Sequence, residues 1–348
     1  MKRFCILSMI ATAALFSALA QSPNPFVGRW DMTVTIGNGH YPSWLEVTEK
    51  GGNLEARVQQ PTGNVAPVPG AKMEGSHLIV TTNAAAPARP ATDNRPAAPA
   101  RPETIWDLTA QGGKLKGVVK SGDKTRELVG VRAPALKAVS VKSWGTPEPL
   151  FNGKDLTGWE PINNTPDFQE NPGTSHWTVK NGELTNEAKG SNLRTKKTYQ
   201  DFKVHVEYSC PPGENSGIYL RGRYEVQVGP PPGPPRSPAP SGANTPAAGR
   251  GGGGYRNPFP GVGSIYGMLG PATPPPFQPE WQTYDITLVG RWATVIFNGV
   301  TTIDNQEIAG VTGGAIDSDE SEPGPIYLQG DHHGGIRYRN MTISVAKH

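Results

Sequence analysis

The segment GPIYLQGDHHGG, residues 324–335, alternates apolar and polar side chains and then breaks into Asp331, His332 and His333 among glycines. Histidine is the side chain whose ordinary titration falls nearest neutral pH, so a polar strand ending in it invites proton transfer. Two other strand-like runs carry further groups of this kind. DFKVHVEYSC (201–210) sets His205 and Glu207 opposite Phe202, Val204, Val206 and Tyr208, and NSGIYLRGRYEVQV (215–228) offers Tyr219, Arg221, Glu225 and Gln227. Alternate residues of a strand share a face. If these strands neighbour one another, His205, Glu207, Tyr219, Arg221, Glu225, Gln227, Tyr327 and Gln329 line one surface. An ordinary solvated face is richer in Lys, Thr and Ser. Long planar hydrogen-bonding groups with tyrosines suit a sugar, whose hydroxyls need paired donors and acceptors and whose ring carbons need an apolar plane. Asn215, Gln227 and Gln329 read as binding or framework residues.

These positions need strands to hold them, and period two runs through almost the whole chain. GRWDMTVTI (28–36), SWLEVTEK (43–50), HLIVTTN (77–83), TIWDLTAQ (104–111) and TRELVGVRA (125–133) are short, rich in Val, Ile, Thr and Trp, and separated by glycine pairs such as Gly51-Gly52 and Gly112-Gly113. The pattern predicts an all-β chain. Residues 25–135 read as a small antiparallel barrel or sandwich with no cluster of His, Asp or Glu, hence an accessory role. Residues 136–149 read as a linker, and 150–348 as a second, larger β-sandwich that carries the chemistry. Trp159, Trp177, Trp281 and Trp292 are expected in its core, and His176 at the core edge.

Composition limits the rest. Lys2 and Arg3 precede an apolar run closing in Ala18-Leu19-Ala20, the pattern of an export signal cut before Gln21. Once Lys2 and Arg3 are set aside, the 33 basic residues become 31 against 30 acidic ones, which leaves no footprint for nucleic acid or an anionic membrane. No segment after residue 20 reads as a transmembrane span. Cys210 is the one cysteine left after processing, so no intrachain disulfide forms, and with no histidine partner it reads as inert. Export without disulfides suits a periplasm or cell surface. Gly and Pro, 43 and 36 residues, cluster in 84–102 and 230–258, which read as flexible or polyproline-like insertions. The acidic run DSDESE (317–322) lacks the glycine and terminal glutamate of an EF-hand loop and reads as solvated. GRGGGG (249–254) does not join a strand to a helix, so no nucleotide site is indicated.

From 150 onward the chain resembles the 3-keto-disaccharide hydrolase domain family, which is built on a concanavalin-like jelly-roll. The resemblance runs in order through LFNGKDLTGWE (150–160), HWTVKNGEL (176–184), LRTKKTYQDFKVHVEY (193–208), GENSGIYLRGRYEVQV (213–228), GSIYGMLGP (263–271), EWQTYDITLVGRWATVIFNGV (280–300) and GPIYLQGDHHGGIRYRNMTI (324–343). It implies cleavage of glycosides already oxidised to a ketone at carbon 3, supplied by an upstream sugar 3-dehydrogenase. The ketone acidifies the carbon-2 proton; its removal expels the glycosidic oxygen from carbon 1, and water adds to the resulting enone.

Such a path needs a general base, a group for the enolate and an acid for the leaving oxygen. Glu225 and Glu207 are the carboxylates on the predicted face, and burial side by side would raise one of their pKa values. Arg221 is placed to hold the enolate, and His332 or His333 to carry a proton. His332 is preferred because it directly follows Asp331, as in the family; Gly330 is an insertion against the family's Leu-Gln-Asp-His-Gly. Adjacent histidines on an extended chain point in opposite directions, so a metal site from that pair alone is not expected. No cofactor is called for by the residues, although a divalent metal on the ketone stays open. Two other functions stay open as well: a lectin-like module using the same groove without turnover, and an ordinary glycoside hydrolase with two carboxylates flanking the bond, for which no Glu-x-Asp-x-x-Glu strand is present.

Overall fold

The computed structural model describes residues 24–37, 39–59, 65–91, 97, 99–137, 139–162, 174–231 and 261–348. The export-signal pattern of 1–20 and most of the 230–258 insertion lie outside the described residues. All regular elements described are β-strands, as the period of two requires. Among the described residues no helix is long and apolar enough to cross a membrane.

The N-terminal part is one nine-stranded antiparallel sheet. Gly28–Ile36 lies centrally between Gly39–Lys50 and Lys124–Arg132, and the remaining strands follow as meanders on either side. Trp30, Met32 and Val34 alternate onto one face with Leu45, Val47, Val58, Leu78, Val80, Trp106, Leu108, Leu115 and Leu128, and together they form its own core. Asn53–Gln59 and Gly70–Glu74, from opposite wings, approach each other, so the sheet curls towards a barrel. Within the 84–102 stretch, Ala86 and Arg101 pair as an isolated bridge.

The C-terminal part is a sandwich of a nine-stranded outer sheet and a five-stranded inner one. The outer sheet includes Phe202–Ser209, Gln282–Val289, Trp292–Phe297 and the long Ile336–Lys347. The expected linker is partly built into it, since Ser143–Trp144 and Glu148–Pro149 both pair with Ile336–Lys347. The inner sheet runs in the order Trp159–Ile162, Asn192–Thr195, Tyr327–Leu328, Ser216–Leu220, Tyr224–Val228. Val204, Val206, Ile286, Leu288, Val295 and Ile343 of the outer sheet meet Leu193, Ile218, Leu220, Val226, Val228 and Leu328 of the inner one. Asn298 and Gly299, both at positive φ (46° and 80°), make the tight turn between Trp292–Phe297 and Val300–Glu307.

Three core tyrosines cross between the sheets and hold the inner one by its backbone and by Ser216. Tyr284 Oη donates to Gln227 O at 2.7 Å, Tyr208 Oη to Gly229 O at 3.2 Å and Tyr338 Oη to Ser216 Oγ at 2.8 Å. Buried hydroxyls that are satisfied in this way fix the layers more specifically than apolar contact alone. Trp159 and Trp177 are core residues as expected. Trp281 and Trp292 are not: they are half-buried, and Arg339 and Arg337 lie over the Trp281 ring at 3.8 and 5.0 Å. A guanidinium over an indole face shields it without the core.

Candidate functional site

Strand register builds the site. Glu160, Arg194, Tyr327, Tyr219 and Glu225 are successive cross-strand partners, one from each of the five inner strands. The neighbouring row holds Ile162 opposite Asn192 and Gly217 opposite Gln227. Between them, the Gln329 N–H donates to Gly217 O at 3.0 Å. The alternate residues Leu193, Ile218, Val226 and Leu328 point into the core, which turns both rows to the sheet's other face.

Glu225 is 5% exposed, and its own N–H donates to Thr312 Oγ1 at 2.8 Å. Tyr219 Oη lies 3.0 Å from Glu225 Oε2 and 2.8 Å from the Gly313 carbonyl. A phenol has one proton, and a carbonyl can only accept. Both contacts are satisfied together when Glu225 is protonated and donates to Tyr219, which donates in turn to Gly313. Burial pushes the Glu225 carboxyl up to about 8; the Tyr219 hydrogen bond and the His332 charge offset part of this rise, and Asp331 adds to it. Burial first, and then Glu225, hold Tyr219 well above its ordinary value, so it stays a phenol. Its ring stacks on Tyr327 with centroids 4.2 Å apart and planes at 17°. A Cβ on Gly217 would stand 2.7 Å from Glu225 Oε1, so the carboxyl occupies space that only glycine leaves.

The second half of the site is an Asp–His pair. His332 Nδ1 is 2.5 Å from Asp331 Oδ1, and Asp331 is 2% exposed. Asn192, fully buried, clamps that carboxylate: its Nδ2 donates to Asp331 Oδ2 at 3.1 Å. Its Oδ1 accepts the N–H groups of Gly330 and Asp331 at 2.6 and 3.1 Å. With Nδ1–H directed to a carboxylate, His332 presents Nε2 as a proton acceptor. Its side chain is 30% exposed, so the group opens to solvent on the His332 side. His333 Nδ1 lies 2.7 Å from Glu214 Oε2. The two imidazoles are near parallel, 15° apart with centroids at 6.5 Å, contrary to the expected opposition, because Gly330–Gly335 is not extended strand. Among the described residues no group of three His, Cys, Asp or Glu side chains has the geometry to hold a metal ion.

The structure therefore brings together Glu225, Tyr219, Tyr327, Gln227 and His332, with Gln329 just past the end of Tyr327–Leu328 and Asn215 just before Ser216–Leu220. Gln227 Nε2 is occupied by the Ser216 and Val228 carbonyls at 3.2 and 2.9 Å. Three expectations are corrected. Glu207 and His205 belong to the outer sheet, where Glu207 pairs with Arg339 at 2.7 Å and His205 with Asp285 at 2.7 Å. Burial alone would raise Glu207, but hydrogen bonds from Asn340 and Arg339 outweigh it and leave its pKa low. Glu225 is raised by burial and not by Glu207. Arg221 takes φ 53° in the turn between Ser216–Leu220 and Tyr224–Val228, and its side chain goes to the core side. There it is fully buried and donates to Tyr224 Oη and Gly290 O at 3.0 and 2.8 Å, out of reach of an enolate on the other face.

Sequence reasoning missed Asn192, Thr312, Gly313 and Gly217. The alternation of Asn192 and Arg194 about Leu193 was the only signal for the first; Gly313 acts through its backbone and Gly217 through the absence of a side chain, while Thr312 Oγ1 reaches Glu225 from a segment with no strand pattern. Cys210 is buried, and burial first, with Glu214, pushes its thiol up to about 12, away from the thiolate that a nucleophile needs.

A buried carboxyl and a carboxylate-oriented histidine thus share one face of the sandwich's inner sheet. A family model described as a 3-keto-alpha-glucoside-1,2-lyase-like domain matches residues 146–344. The chain belongs to that family, and the N-terminal sheet lies outside the match. Three solved structures of Parabacteroides distasonis proteins provisionally named glycosyl hydrolases are similar. The first is 26% identical, covering 61% of this chain and 93% of its own, with a TM-score of 0.40. The second is 19% identical, covering 58% and 94%, with a TM-score of 0.40. The third is 21% identical, covering 57% and 98%, with a TM-score of 0.38. No curated protein matches the chain.

Proposed function

We propose that this protein cleaves 3-keto-glycosides by elimination and rehydration, with His332 as base and Glu225 as acid. The observation that carries the reading is the pairing of a buried carboxyl, pushed up to about 8, with an imidazole oriented by Asp331. Environments that separate two titrating groups in this way divide the roles of acid and base between them. Of the roles left open between the carboxylates and the histidine, Glu225 takes that of acid, because an acid raised so far is mostly protonated at neutral pH.

His332 Nε2 takes the carbon-2 proton, and the C–H electrons form an enolate with the carbon-3 ketone. The enolate collapses to a carbon-1–carbon-2 double bond as the carbon-1–oxygen bond breaks, and the leaving oxygen takes the Glu225 proton. Water then adds at carbon 1 and returns its proton to Glu225, while His332, open to solvent and exchanging its proton with it, delivers a solvent-derived proton to carbon 2. The sum is glycoside plus water giving 3-keto sugar plus alcohol. The substrate must come from a sugar 3-dehydrogenase, and the basic and apolar pattern of residues 1–20 supports work outside the cytoplasm.

The test is turnover of a 3-keto-glucoside and its unoxidised parent in heavy water. Aglycone release from the keto sugar alone, with deuterium at carbon 2 of the product, is expected. Release from both sugars, or product without deuterium at carbon 2, refutes the mechanism; binding without release leaves a lectin site.

A further inference from the structure

The N-terminal sheet lies outside the family match, yet it meets the catalytic face at one segment. Residues 308–322 run from the outer sheet across the turn between Ser216–Leu220 and Tyr224–Val228. On one side this segment holds the site. Thr312 Oγ1 accepts the Glu225 N–H at 2.8 Å, Gly313 O accepts from Tyr219 at 2.8 Å, and the Thr312 and Ile316 N–H groups donate to Arg223 O and Gly222 O, both at 2.9 Å. A Cβ on Gly314, at φ 77°, would lie 2.5 Å from Tyr219 Oη, so the segment is seated closely against the phenol.

On its other side the same segment rests on the N-terminal sheet. Trp44 is buried against Val65, Val311 and Ala315, and a Cβ on Gly310 would come within 2.7 Å of its indole. Ser318 Oγ donates to Met32 O at 2.5 Å. Glu320, expected to be solvated, is instead fully buried: its carboxyl lies beside that of Asp31, accepts from Tyr224 Oη at 2.6 Å and faces Arg291 at 3.5 Å. Arg29 reaches Glu307 at 2.6 Å, just before the segment begins.

We propose that the N-terminal sheet is part of the site's framework, and that Trp44 is a positioning residue which, through Gly310 and Val311, holds Thr312 and Gly313 in register with Glu225 and Tyr219. The inference rests on Glu225 being the proton donor. A segment clamped on both faces excludes water from the Glu225 carboxyl, whereas one released from Trp44 lets water in. Glu225 then ionises at lower pH and loses its aim.

The test uses the full chain and two readouts. Trp44→Ala is expected to lower kcat on the 3-keto-glucoside about a hundredfold, the scale of a 1 Å misplacement, and Trp44→Phe to recover most of it. Independently of turnover, the His332 ring signal followed by NMR against pH reports the Glu225 ionisation, because the two interact by charge. That inflection is expected to move to lower pH in Trp44→Ala and to stay in place in Leu108→Ala, which weakens the N-terminal core away from the segment. Gly310→Ala presses on the same contact from the other side and serves if Trp44→Ala does not fold. An unmoved inflection in the folded Trp44 or Gly310 variant overturns the proposal, as does an equal movement in Leu108→Ala. If wild type shows no keto-glycoside turnover but the inflection moves as expected, the substrate reading fails and the framework role stands.

Discussion

Replacing Glu225 by Gln should make the protein more stable while abolishing its proton-donor chemistry. The Gln amide has the shape of the protonated carboxyl and can donate to Tyr219 as that acid does. In the unfolded chain the carboxyl titrates at its ordinary 4.5, and in the fold at about 8. Between those values the folded state keeps a proton that the unfolded state has lost, so stability contributed by the protonated form is complete below 4.5 and is lost as pH rises towards 8. Each pH unit in that window is worth about 1.4 kcal/mol. At pH 7 the wild type has therefore given up on the order of 3 kcal/mol that the Gln variant keeps. Urea midpoints of both proteins at pH 5, 6, 7 and 8, with unchanged slopes, read this directly. Asp31, pushed up to about 9 by its own burial and by Glu320, weakens both proteins alike and cancels in the comparison. A gap that widens with pH supports a buried, protonated Glu225. A gap that is constant from pH 5 to pH 8 refutes it.

Gly217→Ala places a methyl 2.7 Å from Glu225 Oε1, so keto-glycoside turnover should fall at least about tenfold in a protein that still melts cooperatively. Asn192→Ala removes the clamp on Asp331 and strands two buried N–H groups; unfolding midpoints should show a loss of about 1–3 kcal/mol, and the pH–rate profile should change because His332 is no longer held. Glu207→Gln should leave turnover within about twofold of wild type and lower stability by no more than about 1 kcal/mol, since its ion pair with Arg339 is on the outer sheet and partly exposed. A large loss of turnover in Glu207→Gln would return that residue to the site.

Alternation is a local property, and it is enough to make this chain all-β and to assign faces within each strand. Val204 and Val206, or Ile218 and Leu220, point to the core because their neighbours two residues away do. For the same reason the spacing of Glu225 and Gln227 is sufficient to put them on one face of their strand, whereas Tyr219 joins them through the register that pairs it with Glu225 across the hairpin. Alternation does not say which strands pair. His205 and Glu207 have the pattern of a site strand, but long-range pairing with Gln282–Val289 and Ile336–Lys347 puts them in the other sheet. Nor does it survive a turn: a positive φ at Arg221 sends that side chain to the core side, and the bent Gly330–Gly335 aligns two histidines that an extended chain would oppose. The burial of Glu320 against Asp31 joins residues nearly three hundred positions apart and has no local signature. The sequence determined the elements and the chemical types available on their faces, because those follow from backbone geometry and apolar spacing. The tertiary structure alone decided which of those groups meet, which are desolvated and therefore protonated, and which are held by a distant sheet, because pairing and burial depend on contacts that no short stretch of chain contains.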